Sequence, residues 1–170
     1  MKQAKAPQEK KQPSTGSESW NKLPWRKFEQ HVYHLQKRIF QAEQHGNTKA
    51  VRKLQKLLMK SRAARLLAVR RVTQDNQGKN TAGIDGIKAV VPKQRFVMAE
   101  CIHPEHWKEH KAKPVRRVYI PKPGKPEKRP LGIPVMQDRA QQALVKMALE
   151  PQWEGIFEPN VRTVQPKLTT

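Results

Sequence analysis

Residues 118–134 read VYIPKPGKPEKRPLGIP. One apolar run ends at Ile120 and a second starts at Pro130. Between them, residues 121–129 hold three prolines, one glycine and four basic side chains, Lys122, Lys125, Lys128 and Arg129. The first run belongs to PVRRVYIP, which is rich in β-branched and aromatic residues, so residues 115–120 are expected to form a strand. LGIPVM supplies a second short strand, and the loop joins the two as a hairpin. The prolines narrow the shapes open to that loop, so its charges are presented at reduced entropic cost. Such a loop suits a triphosphate or a nucleic-acid backbone. Arg129 would grip phosphate as a fork and the lysines would act as point charges. An exposed hairpin kept soluble by its lysines is the plainer reading.

Moving outward, QDRAQQALVKMALEPQWEGIF predicts a helix from about Gln137 to Leu149. Ala140, Ala143, Leu144, Met147 and Ala148 form its apolar side, Asp138 sits in the favourable first turn, and Pro151 is expected to stop it. Upstream, His103, His106 and His110 lie close together with Glu105 and Glu109 between them. HPEHWKEH is not the HExxH pattern of a zinc site, and Pro104 disturbs a helix there. A short solvated helix with Trp107 tucked inward is the expectation, and no metal site is assigned.

Further upstream, TQDNQGKNTAGIDGIKAVV carries Gly78, Gly83 and Gly86 with Asn76, Asn80 and Asp85, the composition of a loop with tight turns. Its glycines would let backbone N–H groups approach a phosphate or simply make turns. A long helix is expected from Asn47, a good N-cap, to about Thr73. Val51, Leu54 and Leu58, continued by Ala64, Leu67 and Ala68, mark its apolar side. Arg52, Lys53, Lys56, Lys60, Arg62, Arg65, Arg70 and Arg71 lie between, and no acid occurs from Glu43 to Asp75. A helix that forgoes opposite-charge pairs accepts repulsion that a polyphosphate partner would relieve. Before it, Trp25, Phe28, Val32, Leu35 and Ile39 step by three and four, the stripe of an amphipathic helix started near Pro24 and stopped near Gly46. Residues 1–19 read as a disordered basic tail.

The whole chain has 170 residues, 35 Lys plus Arg against 14 Asp plus Glu, and a net charge of +21. A single-sign field of this size favours a nucleic-acid partner and is more than solubility alone requires. The one cysteine, Cys101, excludes an internal disulfide and a cysteine-based zinc site. No apolar run is long enough to span a membrane, and the N-terminus is not a secretory signal. The expectation is a soluble cytoplasmic protein.

RRVYIPKPGKPEKRPLGIPVMQDRAQQALVKMALEPQWEGIFEPN resembles the first fingers block of group II intron-encoded reverse transcriptases, the retron-type polymerases with maturase activity. QGKNTAGIDGI resembles the block before it. WNKLPWRKFEQHVYHLQKRIFQA and the basic helix after it resemble the N-terminal region of those proteins. The resemblance spans about residues 18–160 and implies an α+β, mainly helical fold. This would be a fingers-type half-domain with two long N-terminal helices and a β-hairpin. It divides the chain into the tail, an N-terminal region over 20–91, a partial fingers region over 92–160, and a tail at 161–170 unlike the family. It further implies that Lys122 and Arg129 contact an incoming nucleotide triphosphate. Gly83, Asp85 and Gly86 would belong to a lid over template and primer. The basic helices, with Arg116, Arg117, Lys125 and Lys128, would bind group II intron RNA or another structured RNA.

After FEPN the family continues with a block of the SYGFRPG type, where this sequence reads VRTVQPKLTT. Polymerase chemistry needs two divalent metals clamped by palm carboxylates. The only aspartates here are Asp75, Asp85 and Asp138, none of which matches a palm ligand. The sequence therefore reads as an N-terminal fragment, truncated before the palm. It would bind RNA but be inactive alone, with Mg2+ expected only in a full-length family enzyme. The alternatives are a stand-alone basic RNA-binding protein, and one piece of a split reverse transcriptase completed in trans by a palm-bearing chain. Uncovered apolar surface is expected where the family packs this region on its palm.

Overall fold

The computed structural model describes residues 16–157, except residues 89 and 109. Most of the expected N-terminal tail and the 161–170 segment lie outside the described residues. Helix α1 spans Gly16–Asn21, α2 Trp25–Gln44, α3 Thr48–Lys60, α4 Arg62–Arg70, α5 Pro92–Cys101 and α6 Met136–Ile156. Strands β1 (Arg116–Pro121) and β2 (Lys128–Ile133) form one antiparallel hairpin. The architecture is thus mainly helical α+β. Among the described residues no helix is long and apolar enough to cross a membrane.

The stripe of α2 builds the centre. Val32, Leu35 and Ile39 are buried, and α2 packs on α3, α4 and α6. Its end is a Schellman motif: the Asn47 amide donates to Ala42 O, the Gly46 amide donates to Glu43 O, and Gly46 takes φ +66°. Asn47 then caps α3 by accepting from the Ala50 amide at 3.0 Å.

The expected single helix from Asn47 to Thr73 is broken at Ser61, whose ψ is 127°. Val51, Leu54 and Leu58 face the core on α3, and the break resets the phase so that Ala63, Ala64, Leu66, Ala68 and Val69 do so on α4. The alanines let α4 approach α5 and α6 closely, a gain a straight helix would forgo. After Arg70 the chain widens into a π-type turn, Arg71–Asp75, where Thr73 Oγ1 donates to Val69 O at 2.7 Å.

Gly16–Ser19, inside the stretch expected to be a tail, belong to helix α1. Helix α1 delivers Trp20 into the core with no exposed surface. Its ring lies 5.0 Å from Trp25 and 5.0 Å, edge-on, from Phe96, and its Nε1 donates to Gln74 Oε1 at 2.7 Å.

Pro151 does not stop α6, which runs on to Ile156 with Pro151 buried inside it. Proline removes the N–H that would bond Met147 O. Gln36 Nε2 of α2 donates to that same carbonyl at 3.0 Å, so no acceptor is orphaned. Among the described residues, the far end of α6 leaves Leu149, Trp153 and Ile156 exposed, with exposed Phe157 just beyond it.

Candidate nucleic-acid interface

Helix α3 has two unlike sides. Val51, Leu54, Gln55 and Leu58 are buried, while Arg52, Lys53, Lys56 and Lys60 are exposed. Lys49, Lys53, Lys56 and Lys60 step by four, three and four, which lines them along one outward face. The helix contains no acid. Lys49 escaped the sequence reading because the apolar pattern begins only at Val51.

Not every basic residue of the next turn joins that surface. Arg62 and Arg71 are exposed. Arg65 points inward, correcting its assignment to an RNA-facing set. It is 7% exposed and donates through Nη1 to Ala99 O and to Glu100 Oε2, each at 2.7 Å. That hydrogen bond and the Arg65 charge hold the Glu100 carboxyl below the ordinary range. Arg70 is drawn into a local cluster, with its guanidinium 4.9 Å from the Trp25 ring and 3.3 Å from Glu29 Oε1. Lys60 meets Glu105 Oε1 at 3.1 Å. The missing acids of the basic helices are thus supplied in part from α2 and from residues 100–105, which sequence spacing cannot show.

The glycine loop is pinned to the start of α6. A Cβ on Gly83 would lie 2.7 Å from Val135 Cα and 2.9 Å from Pro134 O, so this glycine serves close packing. Arg139 ties the loop to the start of α6: Nη1 donates to Gly78 O at 2.9 Å and Nη2 to Thr81 O at 2.7 Å, while Nε donates to Pro134 O at 2.8 Å just ahead of the helix. Burial lowers the Arg139 pKa from its ordinary value. Gly86 adopts φ +69°, and Asp85 Oδ1 accepts from the Ile87 amide at 3.2 Å. The sequence singled out the loop but not Arg139, since a lone arginine in a helix carries no spacing signal. Gly83→Ala is expected to push the loop off Pro134–Val135. Faster amide exchange at Gly86, whose N–H donates to the residue-83 carbonyl, with a largely intact helical core would register that shift, whereas unchanged protection would refute the packing role.

The same helix end holds the entry to the hairpin. Asp138, 6% exposed, lies with Oδ1 2.7 Å from His110 Nε2, and its Oδ2 accepts from the Lys113 amide at 3.3 Å. Trp107 is half-buried as expected, with Nε1 donating to Ile102 O at 3.0 Å.

The hairpin itself is longer in strand and shorter in loop than its composition implied. Lys128 and Arg129 are not loop residues but open β2, paired with Pro121 and Ile120 of β1, leaving residues 122–127 as the turn. Arg116, Val118, Ile120, Arg129, Leu131 and Ile133 share one face, and Arg117, Tyr119, Lys128 and Pro130 share the other. Lys122 Nζ lies 2.9 Å from Glu127 Oε2 in the turn. Lys125, Lys128, Arg129, Arg116 and Arg117 are exposed, and Lys122 is half-buried.

Residues 20–102 match the family described as the N-terminal domain of reverse transcriptase. Maturase-like protein 1 of Euglena gracilis is 32% identical over 135 residues, covering 79% of this chain and 29% of that protein. Protein YkfC of Escherichia coli (strain K12) is 39% identical over 89 residues, covering 51% and 23%. Maturase-like protein 1 of Euglena longa is 29% identical over 140 residues, covering 82% and 30%. The chain therefore spans less than a third of the length of each of these relatives.

Proposed function

We propose, from the match of residues 20–102 to the N-terminal domain of reverse transcriptase, that the chain is the RNA-binding N-terminal part of a group II intron reverse transcriptase and maturase. The observation that carries the proposal is the outward face of α3, where Lys49, Arg52, Lys53, Lys56 and Lys60 stand exposed on a helix without an acid. A phosphate backbone neutralises such a row and releases its own counterions, so affinity is steeply salt-dependent. The basic hairpin offers a second contact, with Lys122 and Arg129 as the candidates for a triphosphate. A phosphate reaching Lys122 would replace Glu127 as its partner.

The three aspartates do not fit a catalytic metal pair. Asp75 faces Arg70, Asp85 closes a turn on Ile87, and Asp138 is buried against His110. In this reading nucleotide transfer and its Mg2+ belong to a palm-bearing part of the enzyme, and these residues contribute binding and positioning. Structured RNA in competition with double-stranded DNA of equal length tests the reading. The RNA is expected to bind at least about tenfold tighter, ~1.4 kcal/mol. Equal affinity for the two would replace it with a general polyanion binder.

A further inference from the structure

The hairpin's outer face holds a feature that charge alone does not explain. Tyr119 is 57% exposed on a strand whose neighbours Val118 and Ile120 are half-buried. Directly across from it is Pro130, and on the same face lie Arg117, Pro121, Lys128 and Gly132. All of these residues are exposed. Residues two apart on a strand sit about 7 Å from one another, and cross-strand partners about 5 Å apart. The phenol ring therefore stands between a cation on its own strand and a cation on the other strand. Its nearest companions are two flat prolines, and beyond Arg117 the Val115 side chain packs over Gly132. No acid lies on this face; Glu127 is in the turn and is paired with Lys122.

An exposed tyrosine presents a π-face at the surface while its hydroxyl stays in water. Flanked by cations and flat residues, it has the makings of a base-stacking surface, since every nucleobase presents a π-face and its phosphates lie to either side. We propose that this face is a stacking platform for an unpaired RNA nucleotide, with Tyr119 beneath the base and Arg117 and Lys128 at the flanking phosphates. The platform rests on the RNA-binding reading above. It adds to that reading a site that takes single strands in preference to duplexes, because paired bases have no free face to offer.

Binding of a labelled oligouridine RNA and of a blunt RNA duplex of equal length tests it, using the full chain and the variants Tyr119→Ala and Tyr119→Phe. Tyr119→Ala is expected to weaken oligouridine binding roughly 5- to 150-fold, while leaving duplex binding and the salt slope unchanged. Tyr119→Phe keeps the ring and is expected to bind as the parent does. Arg117→Gln and Lys128→Gln should each flatten the oligouridine salt slope by about 0.7. Tyr119 is exposed, so these variants are expected to keep the fold, and a melting curve of each checks it. Parent-like oligouridine binding by Tyr119→Ala overturns the platform and leaves the face to a protein partner. An equal loss on the duplex overturns it too, as a general defect. If the parent chain binds neither RNA, the functional reading itself fails, and the platform with it.

Discussion

Trp20→Ala is expected to cost about 3–5 kcal/mol, among the largest effects of any single substitution in this chain. The ring is fully buried and ties α1 to the neighbouring α2 and to two elements far along the chain, α5 and the π-type turn. It packs tilted against Trp25 at the start of α2 and edge-on against Phe96 on α5, and its Nε1 donates to Gln74 in the π-type turn. The Arg95 guanidinium lies 5.6 Å from its centroid. Truncation removes the apolar contacts, opens a cavity, and strands the Gln74 amide without its donor. For a domain whose whole stability is about 5–15 kcal/mol, this lowers the melting temperature by roughly 10 °C or more. Tyr33→Ala is the control: Tyr33 is 40% exposed, and its loss is expected to stay within about 0.5 kcal/mol. Equal melting temperatures for Trp20→Ala and the parent would contradict the assignment of Trp20 as the anchor of α1.

The second large effect is on binding. Replacing Arg52, Lys53, Lys56 and Lys60 together with Gln removes four cations from the outward face of α3 and leaves its buried side intact. If each meets a phosphate, the slope of log affinity against log salt flattens by about 3. Affinity at low salt falls most, and the difference between variant and parent shrinks as salt rises. The fold should not suffer. Lys60 and Glu105 are both largely exposed, so their pair contributes little, and removing like charges along one helix relieves repulsion. A variant with lowered melting temperature and an unchanged slope would place the RNA elsewhere on the molecule.

Local signals were legible where they act through the nearest turn. The 3–4 stripe of α2, the Gly46 stop, the Asn47 cap and the paired strands of the hairpin all depend on residues within a few positions of one another. What sequence spacing missed depends on partners far along the chain. Ser61 breaks the basic helix for the sake of packing by Ala63, Ala64 and Ala68, and serine itself is no helix breaker. Pro151 is tolerated because Gln36, more than a hundred residues earlier, bonds the freed Met147 carbonyl. Arg65 looked like its exposed neighbours until Ala99 O and Glu100 gave it a place inside.

The candidate interface was legible in the same measure. The acid-free run from Lys49 to Arg71 announced a basic surface, and the structure sorts it into an exposed row on α3 and a set drawn into the fold. Lys128 and Arg129 read as loop charges because prolines surround them. The register assigns them to a strand and to opposite faces, which is why the Tyr119 face became visible only in three dimensions. Arg139 and Asp138, adjacent at the start of α6, tie down the glycine loop and the hairpin entry respectively. Their role follows from the junction they occupy, which no motif encodes.

The central claim is RNA binding through an exposed basic surface. A titration of the full chain with structured RNA from low to high salt tests it most directly. The predicted result is a straight log–log decline of affinity with a slope steeper than about −3, reporting several phosphate contacts. Affinity that stays level across that range, or no binding even at low salt, would contradict it.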